Sequence, residues 1–143
     1  MYKLALIVIA VLLCAGDCLA ISEKDFDELY KSSSELRDAD KTLNSTWKNV
    51  LGSIRPEDKA YLLKMQKEWI KAERDVTARE YMDMGYTRAC AYTKASRRWA
   101  KTLEVYVHNS NLSQEDKDAG RVKDDDAFWT EDDENIPANC RAK

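Results

Sequence analysis

Residues 62–76 constrain the fold more than any other stretch. Leu62, Leu63, Trp69, Ile70 and Val76 recur at helical spacing and so mark one apolar face of a long helix. Two polar features interrupt it. Gln66 lies on the Trp69/Ile70 side, and Arg74 and Asp75 sit next to each other in the following turn. Charged groups beside a core are costly unless paired, so this pair requires an answering group from another helix. The segment reads as the central rod of a small helical bundle and not as an active site.

The N-terminus reads as a secretory leader. Lys3 supplies the positive charge, Leu4 to Leu13 form an apolar run, and Cys18-Leu19-Ala20 places small residues three and one before a cut after Ala20. A run of this length is too short to cross a bilayer, which needs roughly 20 apolar residues. A lipoprotein reading would lipidate Cys14 or Cys18, but Leu13 and Asp17 stand where a small residue is wanted. The expected mature chain, residues 21–143, fits one domain. Four glycines, two prolines and 34% charged residues over the full 143 positions suit a helical protein better than a sandwich. Trp47, Trp69, Trp99 and Trp129 are spread so that each helix, and the tail, contributes one large anchor.

Leader removal leaves two cysteines, Cys90 and Cys140. In an oxidising compartment they most simply pair within the chain; an intermolecular bridge or two free thiols are the alternatives. Charge is unevenly spread. Residues 21–110 carry 17 basic and 15 acidic groups, whereas residues 111–143 carry 5 basic and 10 acidic. The acidic end argues against a nucleic-acid partner and would attract a basic one, although such tails also serve simply to solvate.

In chain order, Ser22 starts the first helix with Asp25 three residues on, and an apolar seam runs from Phe26 to Leu51. Ser32-Ser33-Ser34 is a weak point in it, and Gly52-Ser53 ends it. Pro56, Glu57 and Asp58 suit the first turn of a second helix that runs unbroken to about Met84, with Gly85 as its stop. Thr87 is placed to cap a third helix, in which Ala89, Tyr92, Thr93, Ser96, Ala100, Leu103 and Val107 line one side. Beyond His108, Asn109-Ser110-Asn111 marks a turn and Ser113 to Asp116 begins one short helix. The rest reads as an irregular acidic tail, pinned back by Phe128, Trp129 and Cys140.

No catalytic set is evident. His108 is the sole histidine and sits near a helix end, where a positive ring is favoured. The carboxylate clusters lack apolar neighbours that would suit acid catalysis. Asp124-Asp125-Asp126 and Glu131 to Glu134 lack the ligand spacing and turn glycine of a calcium loop, so neither a metal nor another cofactor is expected. Asn44-Ser45-Thr46 and Asn111-Leu112-Ser113 match the glycosylation pattern, the first of them in mid-helix. Thr93 and Arg97 are four apart and share a helix face. If the second and third helices run antiparallel through Gly85, Asp75 comes level with Arg97. A pair between them, joined by Thr93 and Gln66, would fix the register of the two helices.

Leu43-Asn44, Gln66-x-x-Trp69-Ile70, Arg74-Asp75, Ala89-x-x-x-Thr93 and Arg97 with Leu103 resemble, in order and spacing, the domain of the LprI-type lysozyme inhibitors. The resemblance covers roughly residues 25–106. It implies a small, helical, exported domain and, for some members, inhibition of a peptidoglycan-cleaving lysozyme. Gln66, Trp69, Arg74, Asp75, Thr93 and Arg97 would then be fold determinants. The family carries a cysteine shortly after its Arg-Asp pair, bridged to one at the start of the next helix. Here Ala78 stands at the first position while Cys90 is present at the second, which releases Cys90 for Cys140.

The expectation is an all-α protein: a small antiparallel bundle of about three main helices over residues 21–108, with a disulfide-tethered acidic tail over 109–143. It would be a periplasmic or extracellular protein that is not an enzyme and does not stay inserted in a membrane. It would bind a basic lysozyme-type muramidase, with Asp124, Asp125, Asp126 and Trp129 as contacts. The alternative is an envelope accessory or structural protein without lysozyme affinity. Salt dependence separates the two, because steered binding of a basic enzyme weakens as ionic strength rises.

Overall fold

A computed structural model describes residues 21–124 and 135–143. The described residues are mostly helical and contain no named strand, so the chain is all-α. Helices α1 (Glu23–Ser32) and α2 (Ser34–Ser53) are separated only by Ser33. Ser33 serves both: its N–H closes on Leu29 O while its hydroxyl accepts Leu36 N at 3.2 Å. The serine run therefore breaks the first helix by offering the backbone a competing cap. Ser22 caps α1 by accepting Asp25 N at 3.1 Å, as its spacing suggests.

A 3₁₀ turn (Pro56–Asp58) leads into α3 (Lys59–Glu68), a π-helical turn (Trp69–Glu73) and α4 (Arg74–Asp83). Gly85, at φ +101°, makes the reversal into α5 (Arg88–Asn111). A short α6 (Gln114–Asp118) follows, capped by Ser113. Asp58 accepts from Ser110 and Arg55, which ties the start of α3 to the end of α5. Those two bonds, Ser110 first, hold its carboxyl below the usual carboxylate range.

The hub is α5, not the 62–76 stretch. It packs along α2 on one side and α4 on another, so buried residues surround much of its circumference. One core cluster joins Leu43, Val50, Leu62, Trp69, Trp99 and Leu103; the other joins Leu36, Ala78, Tyr81, Tyr86, Tyr92 and Ala95.

The face expected for residues 62–76 needs correction. Leu62 and Trp69 are buried, but Leu63, Ile70 and Val76 are about half exposed. Leu63 and Ile70 follow the two buried residues by one position, about 100° round the helix, and fall outside the stripe. Val76 has a different cause. In an unbroken α-helix it would lie within about 40° of Leu62, but the wider i→i+5 turn at Trp69–Glu73 rotates everything after it. That rotation brings Ala78 and Tyr81 to the α5 side and swings Val76 outward.

The C-terminal end is fastened at the hairpin reversal. Cys90 and Cys140 are bonded, Thr87 N donates to Cys140 O at 2.7 Å, and Ala142 N donates to Gly85 O at 2.8 Å. Thr87 stands at the α5 N-cap, but its side chain makes no capping bond. Replacing both cysteines by serine is expected to cost about 3–4 kcal/mol in urea unfolding, from the loop spanning 50 positions that the bridge closes. A loss below about 1 kcal/mol would show that the backbone bonds hold the end without it.

Candidate functional site

Polar and aromatic residues of the hairpin gather at two stations, one where the π turn begins and one just after it. At the first, Trp69 and Trp99 stack with ring centroids 5.5 Å apart and planes at 6°. Gln66 Oε1 accepts the Trp99 indole N–H at 2.6 Å. A partly buried indole N–H keeps its hydrogen bond in this way, and Gln66 is thereby placed as the sequence suggested, on the Trp69 side.

The second station is built on Asp75, whose side chain is 7% exposed. Oδ1 accepts the Tyr92 hydroxyl at 3.0 Å and faces Arg74 Nε at 3.4 Å, while Oδ2 accepts the backbone N–H of Ile21 at 3.2 Å. The Arg74 guanidinium lies 4.2 Å from the centre of the Phe26 ring and 5.8 Å from that of Tyr92, a cation–π arrangement that links α1, α4 and α5. Burial, and then the bond to Asp75, push the Tyr92 phenol far above its ordinary range.

Arg97 is not a member of this network. Asp75 takes its partners from Arg74, Tyr92 and Ile21, and Arg97 is exposed on the side of α5 that faces Asp38, Ala39 and Thr42 of α2. A hairpin pairs residues nearly equidistant from its turn. Trp69 with Trp99, Asp75 with Tyr92, and Tyr81 with Tyr86 all flank Met84 this way. Arg97 is five residues beyond Tyr92, well over a helical turn along the axis and on another face. Thr93 is buried, but its hydroxyl bonds Ala89 O at 2.8 Å on its own helix and reaches neither Gln66 nor Asp75. Tyr92, Phe26 and Ile21 were missed. Counting outward from Met84 comes within one residue of Tyr92; nothing local points to the other two.

Beside the tryptophan stack a half-open cleft of about 160 Å³ is lined by Trp69, Glu73, Thr77, Arg98, Trp99 and Thr102. Arg98 Nη1 lies 3.7 Å from Glu80 Oε2 at its edge. The indoles are more than nine-tenths buried, so they support the cleft but present little ring face to a ligand. Among the described residues no group of three or more His, Cys, Asp or Glu side chains could hold a metal ion. Nor is any helix among them long and apolar enough to cross a membrane.

Of the expected contact residues, Asp124 is exposed, whereas Asp125, Asp126 and Trp129 lie outside the described residues, as do Phe128 and residues 1–20, where a leader is expected. His108 Nε2 stands 3.4 Å from Arg121 O in the last turn of α5. Asn109 clips the chain again, donating to Lys123 O at 2.8 Å and accepting Lys123 N at 2.9 Å. Comparison with protein-family models, curated proteins and solved structures gives no match.

Asp75→Ala removes the acceptor from Tyr92, Arg74 and Ile21 together and is expected to cost about 3–5 kcal/mol in chemical denaturation. Arg97→Ala is expected to stay within about 0.5 kcal/mol of the parent. Similar losses for both would restore an Asp75–Arg97 pair.

Proposed function

We propose that this is an exported, non-enzymatic binding protein that inhibits a lysozyme-type muramidase. In this reading a bundle of three main helices presents an acidic tail to a basic partner, in the periplasm or outside the cell. The resemblance to the LprI-type inhibitors motivates the proposal, and the place of the shared residues is compatible with it. Gln66, Arg74, Asp75 and Thr93 each hydrogen-bond within the fold, and Trp69 stacks on Trp99. They therefore act as fold determinants, and any partner surface lies elsewhere.

The observation that carries the reading is the anchoring of the acidic stretch at both ends. Lys123 is clipped to Asn109 at one end of α5, and Cys140 is bonded to Cys90 at the other. Those points on α5 are about 28 Å apart at 1.5 Å per residue. The segment that carries the acidic charges is thus attached to the bundle at both of its described ends. An acidic segment attached to its scaffold steers a basic enzyme toward that scaffold and speeds encounter. Asp124, Asp125, Asp126 and Trp129 are the contacts assigned to this surface.

The test is lysozyme activity on cell walls with purified residues 21–143 titrated in. Near-stoichiometric inhibition is expected, weakening roughly tenfold or more as ionic strength rises from about 0.05 to 0.5 M. Full activity of every lysozyme class tried, with the protein folded, would leave the envelope accessory reading in its place.

A further inference from the structure

Ile21 is held twice. Its backbone nitrogen donates to Asp75 Oδ2 at 3.2 Å across 54 positions of sequence, and its side chain packs against the cluster of Leu36, Ala78, Tyr81 and Tyr92. Residues at chain ends stay loose unless something fastens them. Here an apolar side chain and a buried carboxylate both do so. Ile21 is also the residue that follows Cys18-Leu19-Ala20, the small-residue pattern of a leader cleavage site. A feature of the sequence and a feature of the fold thus meet at one peptide bond.

We propose that hydrolysis of the Ala20–Ile21 bond releases an α-ammonium at Ile21 that pairs with the Asp75 carboxylate and locks α1 onto the α4–α5 hairpin. Water adds across the amide: its oxygen goes to the Ala20 carbonyl carbon, which becomes a carboxylate, and its protons leave the Ile21 nitrogen as an ammonium. The catalyst is a leader-removing peptidase of the exporting cell. The inference is independent of any lysozyme affinity.

The chemistry of the site changes on processing. Before the cut, Asp75 receives a neutral amide N–H from Ile21; afterwards it receives a full positive charge at the same place. Charge-assisted hydrogen bonds are roughly twice as strong as neutral ones. The groups around the new amine are Asp75, which it contacts, and Arg74 and Tyr92, which share that carboxylate; Arg88 of α5 acts on the Tyr92 phenol from nearby. The two arginines oppose the ammonium, and Asp75, in direct contact, favours it. Tyr92 stays a protonated donor through the alkaline range, because burial and Asp75 hold its phenol far above the ordinary value. The pair raises the amine above its ordinary value of about 7.7–8.0. Its contribution to stability is complete below that value and is lost as pH rises through the raised one.

The test starts from the full chain, secreted from an exporting bacterial host. Intact mass is expected to place the N-terminus at Ile21. The pH profile of α-amine acylation should give a value at least about one unit higher in the folded protein than in urea, a tenfold shift in the proton equilibrium. In Asp75→Asn that difference should vanish. Should this variant not fold, the processed protein is compared with the same protein acetylated at Ile21. Between about pH 7 and pH 10 the free-amine form should lose more thermal stability. A different N-terminus, equal amine values folded and unfolded, or identical pH profiles for the free and acetylated forms would overturn the proposal.

Discussion

The hairpin depends on one widened helical turn. Trp69–Glu73 closes with π-type geometry, and everything after it is rotated relative to everything before it. Without that rotation, the residues of α3 and α4 that meet α5 could not all lie on the same side, since a regular helix puts Tyr81 about 120° from Trp69. With it, the tryptophan stack and the tyrosine cluster lie along one line of contact on α5. A π turn inside an α-helix is poorer in hydrogen-bond geometry and persists where packing favours it. Here the packing of two core clusters against the same partner helix is the favouring term.

Asp75 is buried just beyond the widened turn. A buried carboxylate must be met by donors, and this one is met from three directions: by Arg74 on its own helix, Tyr92 on α5 and the backbone of Ile21. Arg74 in turn rests on Phe26 of α1. The first helix, which has no buried residue of its own, is thereby fastened to the hairpin largely through this station and its short connection to α2. Arg74 and Asp75, which the resemblance rests on, are consequently engaged within the molecule.

Much of this organisation was legible in the sequence. Ser22, Pro56, Gly85 and Ser113 all mark boundaries that the structure keeps, because caps and reversals are set by local chemistry. The pairing of Cys90 with Cys140 is the simplest of the arrangements the sequence left open. Three things were not legible. The π turn has no sequence signal, so Val76 was placed inside by an unbroken 3.6-residue period. The identity of the hub was misjudged because buried alanines and serines on α5 carry little hydrophobic signal individually, although they allow close approach from two sides. Arg97 was assigned to Asp75 because opposite charges attract attention, whereas the actual partner is a tyrosine hydroxyl fixed by hairpin symmetry.

The most direct test of the rotated hairpin is to delete Ala72, an exposed residue within the π turn, and to follow chemical unfolding. Removing one residue restores the regular period, turning Val76 inward and the Asp75 and Tyr81 stations out of phase with α5. The account predicts loss of the cooperative transition, or a destabilisation of more than about 3 kcal/mol. A deletion variant that unfolds within about 1 kcal/mol of the parent, with its tryptophan stack intact by near-UV circular dichroism, would contradict it.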